Sequence, residues 1–158
     1  MNSDLILQFV IFCGVISVIY GFISSKQILS ASAGDDKMQE IASAIQIGAK
    51  AYLNRQYTTI AIVGVIVLIL ISFLFSIWVG LGYVIGATLS GAAGYVGMLI
   101  SVQANVRTAE ASRTSLDDGL RIAFKSGAVT GMLVAGLALL SLSLIHISET
   151  KRRRGISY

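Results

Sequence analysis

Residues that could do chemistry are few, and they lie outside the apolar parts of the chain. Two groups of carboxylates stand out: Asp36 and Glu40 within DDKMQE (35–40), and the pair Asp117–Asp118. Clustered carboxylates can hold a hard cation such as Mg²⁺, which takes oxygen ligands. They can equally serve as helix caps, because carboxylates in a first turn meet unpaired backbone N–H groups and the positive end of the helix dipole. Asp36 with Gln39, and Ser115 with Asp118, have the capping-box spacing. Both groups are therefore read as caps, not ligands. His146, a possible metal ligand or proton carrier, has no partner nearby in sequence. Cys13 is the one cysteine; it sits in an apolar run and has no intrachain disulfide partner. No catalytic, cofactor-binding or metal-ligating residue is assigned.

Sequence motifs of enzymes are equally absent. There is no GxxxxGK[ST], HExxH, CxxC or GxSxG, and no spaced aspartate series that could clamp several Mg²⁺ ions. The basic excess, +4 over 158 residues, lies in connecting segments and the C-terminal tail. There is no aromatic-interleaved basic groove of the kind single-strand binders use, so nucleic acid is not an expected partner.

The elements around these residues are membrane spans. The chain is 55% hydrophobic and 13% charged, against about 25% charged in soluble domains. Its mean hydropathy is +0.80. The apolar residues fall in four uninterrupted runs close to the roughly 20 residues that cross a bilayer, and no proline interrupts them. The expected fold is all-α, a polytopic membrane protein with spans at about 5–23, 57–79, 81–103 and 126–145. The first is read as a retained span, since no basic segment precedes it and no cleavage site follows. Residues 36–56 form an amphipathic helix running into the second span, with Met38, Ile41, Ala42, Ile45, Ala49 and Tyr52 on one face. Val79–Gly82 is read as the tight turn of a hairpin between the second and third spans, with Tyr57 and Trp78 as interfacial anchors.

Small residues recur at four-residue spacing: Gly82, Gly86, Ser90 and Gly94, then Gly127, Gly131 and Ala135, with Gly14, Gly21 and Gly136 as further close-approach points. Such rows let helix backbones approach closely in a bundle, so the third and fourth spans are expected to pack against neighbours. None of the four spans has Asp, Glu, Lys or Arg in its interior. Ion pumping needs ionisable groups within the membrane, which argues against a self-contained pump.

Orientation follows from the bases. Lys26, Lys37, Lys50 and Arg55 lie in the first connection; Arg107, Arg113, Arg121 and Lys125 lie in the third. The positive-inside rule places residues 24–56 and 104–125 in the cytoplasm and both termini outside. Lys151, Arg152, Arg153 and Arg154 conflict with that arrangement, because four spans would put them outside.

Three segments resemble one family. GDDKMQEIASAIQIGAKAYLNRQYTTIAIVG (34–64), GAAGYVGMLISVQANVRTAEAS (91–112) and LRIAFKSGAVTGMLVAGLALLSLS (120–143) are similar, in order and spacing, to the first loop and second to fourth helices of membrane-bound ion-translocating pyrophosphatases. The resemblance runs from about Leu5 to Ser143. It implies an N-terminal membrane portion, residues 1–143, of a homodimeric pump of about sixteen helices. That pump would couple hydrolysis of Mg²⁺-pyrophosphate to H⁺ or Na⁺ transport, with or without K⁺ dependence. It further implies an outer scaffold that contacts the remaining helices and lipid, lacks the catalytic site and is inactive alone. The lack of proline, the single cysteine and the short N-terminal segment before the first span fit a bacterial inner membrane. LIHISETKRRRGISY (144–158) does not resemble the family; together with its charge, this suggests a truncated reading frame with a foreign end. The alternative reading is a self-standing four-helix structural or interaction subunit of a membrane complex.

Overall fold

The computed structural model describes the backbone of residues 3–155 and the side chains of 5–145. Its elements are four helices: α1 Ser3–Leu29, α2 Asp36–Leu74, α3 Ile77–Thr114 and α4 Leu116–Gly155. All four are long and apolar enough to cross a membrane. His146 and the bases Lys151–Arg154 lie outside the described side chains, although the backbone of α4 stays helical through Gly155.

Each helix is longer than its apolar run. In α2, residues 57–74 cover roughly 27 Å at 1.5 Å per residue, about one hydrocarbon thickness. The charged segment before them continues the same helix, as its amphipathic pattern predicted. Helical hydrogen bonding satisfies the backbone throughout, which a chain in lipid requires. Three of the five buried serines, Ser17, Ser141 and Ser143, donate back to the Cys13, Ala138 and Leu139 carbonyls on their own helices.

The helix starts differ from expectation at two places. The N-cap of α2 is Asp35, not Asp36: its carboxylate accepts from the Met38 N–H at 2.9 Å, and its backbone is extended. Gln39 then donates to the Gly34 carbonyl. Gly34 makes the preceding turn with φ +81°, where a Cβ would also strike the Met38 sulfur at 2.6 Å. That turn sets the helix start one residue earlier than the spacing suggested. The α2–α3 turn falls at Phe75–Ser76, not at Val79–Gly82. Ser76 is extended and caps α3 through the Val79 N–H, so Trp78 lies in the first turn of α3. The turn residues carry no glycine or charge to mark it, whereas Gly80 and Gly82, which resemble a turn in sequence, are helical. Ser115 caps α4 as expected: it accepts from the Asp118 N–H at 3.1 Å and donates to the Asp118 carboxylate at 2.8 Å.

Packing runs in the order α1–α4–α3–α2. Helix α4 lies between α1 and α3, and among the described residues α2 rests on α3 alone. The core joins Ile28 of α1, Ala93, Ile100 and Ala104 of α3, and Val129 and Leu133 of α4. At the α1–α4 seam backbone approaches backbone. A Cβ on Gly136 would meet the Ser17 Cβ at 2.8 Å and the Gly14 carbonyl oxygen at 2.9 Å; one on Gly21 would meet Leu133 at 2.8 Å. Between α3 and α4, Thr130 fills the space over Gly97 at 2.9 Å. Between α2 and α3, Tyr57 lies across Gly91 and Gly94, donates to the Gly91 carbonyl at 3.0 Å and packs edge-on against Tyr95 at 5.2 Å. Tyr95 in turn donates to the Asn54 side-chain oxygen at 3.1 Å. Tyr57 is thus an interhelical clasp, beyond the anchor role expected of it.

The expected row Gly127–Gly131–Ala135 does not pack within the chain. All three residues are exposed, and nothing approaches a Cβ at Gly127 or Gly131 within 4 Å. Helix α4 instead buries Val129, Leu133 and Gly136, a face rotated away from that row. Gly86 is likewise open, so the α3 row is engaged at its ends, Gly82 against Ile145 and Gly94 against Tyr57, and not throughout.

These two environments give a paired expectation for the chain in detergent. Gly136→Leu overpacks the α1–α4 seam and is expected to destabilise by about 1–3 kcal/mol. Gly131→Leu, on the same helix, is expected to be neutral or to stabilise by up to about 1 kcal/mol through helix propensity. Unfolding titrations of both variants measure this. Tyr57→Phe removes the bond to Gly91 and is expected to cost about 0.5–1.5 kcal/mol in the same assay.

Candidate functional site

The polar side chains gather at one end of the bundle. The α1–α2 connection and the α3–α4 junction lie there together, and two arginines of α3 join them. Arg107 follows the apolar run of α3 by just over one turn. Its guanidinium donates to the Gln103 carbonyl at 2.7 Å and to the Leu29 carbonyl at 3.1 Å. Leu29 is the last residue of α1, so Arg107 satisfies a carbonyl with no partner inside the helix and meets the negative end of its dipole. Its Nε is buried and has no hydrogen-bond partner. Arg113 reaches Asp35 at 3.3 Å and Glu110 at 3.1 Å. More than half of the Arg113 and Asp35 side chains is exposed, so this pair contributes at most about 1 kcal/mol. It nevertheless ties the cap of α2 to the end of α3.

Beside these groups lies a cleft of about 410 Å³ between the ends of α1, α3 and α4. Arg107, Arg121 and Lys125 line it with Glu110 and Asp118, over a floor that includes Ile28 and Ile122. Glu110 is engaged by Arg113, and Asp118 by the Ser115 hydroxyl. A second, largely apolar groove of about 240 Å³ runs between the amphipathic part of α2 and α3, lined by Met38, Ile41, Ile45, Val102 and Val106 among others.

The sequence candidates are dispersed. Asp35 and Asp118 are occupied in caps, while Asp36 and Asp117 lie in first turns. Cys13 is a free, half-buried thiol on α1. Mg²⁺ needs converging oxygen ligands. Among the described residues no three His, Cys, Asp or Glu side chains come together to supply them. The residues present thus do not fit the metal that the family resemblance implies, and no chemical step is routed through it. Sequence reasoning used Arg107 only as a topology marker and did not identify its capping role. The available signal was an arginine one turn beyond an apolar run, where it can reach back to a neighbouring helix end.

Comparison with known proteins places this arrangement. The sequence model of the family described as inorganic H⁺ pyrophosphatase matches residues 15–156, an interval that runs into the 144–158 segment. The chain is 49% identical over 136 residues to a K⁺-insensitive pyrophosphate-energized proton pump of Methanosarcina mazei, covering 85% of this chain and 20% of that protein. It is 37% identical over 139 residues to a putative K⁺-stimulated pyrophosphate-energized sodium pump of Bacteroides thetaiotaomicron, covering 84% and 19%. A K⁺-insensitive pyrophosphate-energized proton pump of Moorella thermoacetica is 39% identical over 131 residues, covering 82% and 19%. The chain thus spans about a fifth of the length of the curated relatives it matches. Four long apolar helices with cationic connections at one end, matched over most of their length, make this chain a multi-pass membrane member of the inorganic H⁺ pyrophosphatase family.

Proposed function

We propose that residues 1–143 are outer scaffold of a pyrophosphate-energised ion pump that couples hydrolysis of Mg²⁺-pyrophosphate to transport of H⁺ or Na⁺. The observation that carries this reading is the family match over 15–156 on a chain whose four spans hold no Asp, Glu, Lys or Arg in their interiors. Pumping and hydrolysis need such groups and metal-binding carboxylates, and the scaffold role leaves both to other helices of the pump. The chain alone neither hydrolyses pyrophosphate nor transports ions.

The vacant faces favour this reading over a self-standing subunit. No residue in the most apolar stretch of α2 is buried, and among the described residues α2 touches only α3. The exposed stripe Gly127–Gly131–Ala135 is a surface on which another helix can approach closely. The remaining helices of the pump are the partners of these faces, and the whole assembles as a homodimer in a bacterial inner membrane. The connections 24–56 and 104–125 face the cytoplasm, supported by their eight bases and by the convergence of both connections at one end.

A graft tests the role. The matching 136-residue segment of the Methanosarcina mazei relative is replaced by this chain's sequence, and pyrophosphate-dependent ion uptake is measured in vesicles. The expected result is a chimera that pumps, while the purified 158-residue chain shows no hydrolysis above background. A chimera that inserts and folds yet cannot pump would overturn the scaffold reading, as would hydrolysis by the chain alone.

A further inference from the structure

We propose that the cleft between the ends of α1, α3 and α4 binds the phosphate of an anionic phospholipid headgroup. Three cationic side chains line it: Arg107, Arg121 and Lys125. The two carboxylates in its wall are engaged elsewhere, Glu110 by Arg113 and Asp118 by the Ser115 hydroxyl. Among the described residues neither Arg121 nor Lys125 has a carboxylate within ion-pair distance. They stand one helical turn apart on α4, where like charges repel. An anion between them relieves that repulsion.

Arg107 adds a second observation. Its guanidinium is fixed at the cleft by the Gln103 and Leu29 carbonyls, so among the described residues its charge is held there without a carboxylate partner. The level of the cleft selects the source of that phosphate. Lys125 immediately precedes the apolar part of α4, Arg107 follows the apolar part of α3, and the floor is Ile28 and Ile122. Cations over an apolar floor at the end of membrane spans match a headgroup with its acyl chains, and basic pockets between spans bind such headgroups. A volume of about 410 Å³ accommodates a phosphodiester headgroup.

Native mass spectrometry of the full chain in a neutral detergent tests this, with phosphatidylglycerol and phosphatidylcholine offered in equal amounts. Phosphatidylglycerol is expected to be retained preferentially. The double variant Arg121→Gln/Lys125→Gln is expected to weaken its retention on the order of 30-fold, from the usual contribution of two juxtamembrane bases. Lys37→Gln/Lys50→Gln, which removes the same charge elsewhere, is expected to leave retention unchanged. If the first double variant fails to fold, Thr114→Glu places a carboxylate at the opposite wall and is expected to abolish retention by repulsion. Equal retention of the two lipids, or equal loss in the control, overturns the proposal. Displacement of the lipid by millimolar inorganic phosphate or pyrophosphate overturns the lipid as source and assigns the cleft to a soluble anion.

Discussion

The backbone-to-backbone approach of α1 and α4 is the constraint on which the arrangement depends. In lipid there is little hydrophobic force between helices, because acyl chains are as apolar as leucine. Association rests on dispersion, which falls steeply with distance. At Gly14 and Gly136 the absence of two side chains lets the Gly14 carbonyl oxygen come within 2.9 Å of where a Cβ of residue 136 would stand. Gly21 repeats the device two turns along, taking the Leu133 side chain. Since the same face of α4 carries Val129, this seam also fixes which face is left to receive α3.

The polar end follows from that placement. Once α4 holds α1 beside α3, the last carbonyls of α1 come within reach of Arg107, and the Asp35 cap within reach of Arg113. The two arginines do different work. Arg107 is partly buried and meets an unpaired helix end. Arg113 is exposed and adds register more than energy. The cleft is the space left where three helix ends meet without closing, and its cationic lining comes from bases of the third connection, Arg107, Arg121 and Lys125. Lys26 shows the same economy, with its ammonium 4.7 Å above the Phe22 ring while its stem lies along the end of α1.

Much of this was legible from residue types alone. Four uninterrupted apolar runs without proline specify four helices, and Gly14, Gly21 and Gly136 mark close-approach points by residue type. The Ser115–Asp118 cap was readable because both residues and their spacing are specific. Three features were not legible. Asp35 and Asp36 are chemically identical caps, and only the positive φ of Gly34 decides between them. The Phe75–Ser76 turn has no glycine, proline or charge to mark it, whereas helical glycines stand just beyond it. The row Gly127–Gly131–Ala135 has the same spacing as an engaged row, yet spacing cannot say which of two small faces meets a neighbour within this chain. That face is the one the proposed scaffold offers to other helices.

A disulfide cross-link tests the central seam most directly. In a Cys13→Ala background, cysteines are placed at Gly21 and Leu133. A Cβ at residue 21 stands 2.9 Å from the Leu133 Cγ, so the two Cβ atoms would lie about 4 Å apart, within disulfide range. Oxidation in native membranes is expected to link this pair efficiently, and to leave Gly21→Cys with Gly131→Cys unlinked. Linking of the 21–131 pair with none at 21–133 would show that α4 presents its other small face to α1, and would contradict the account.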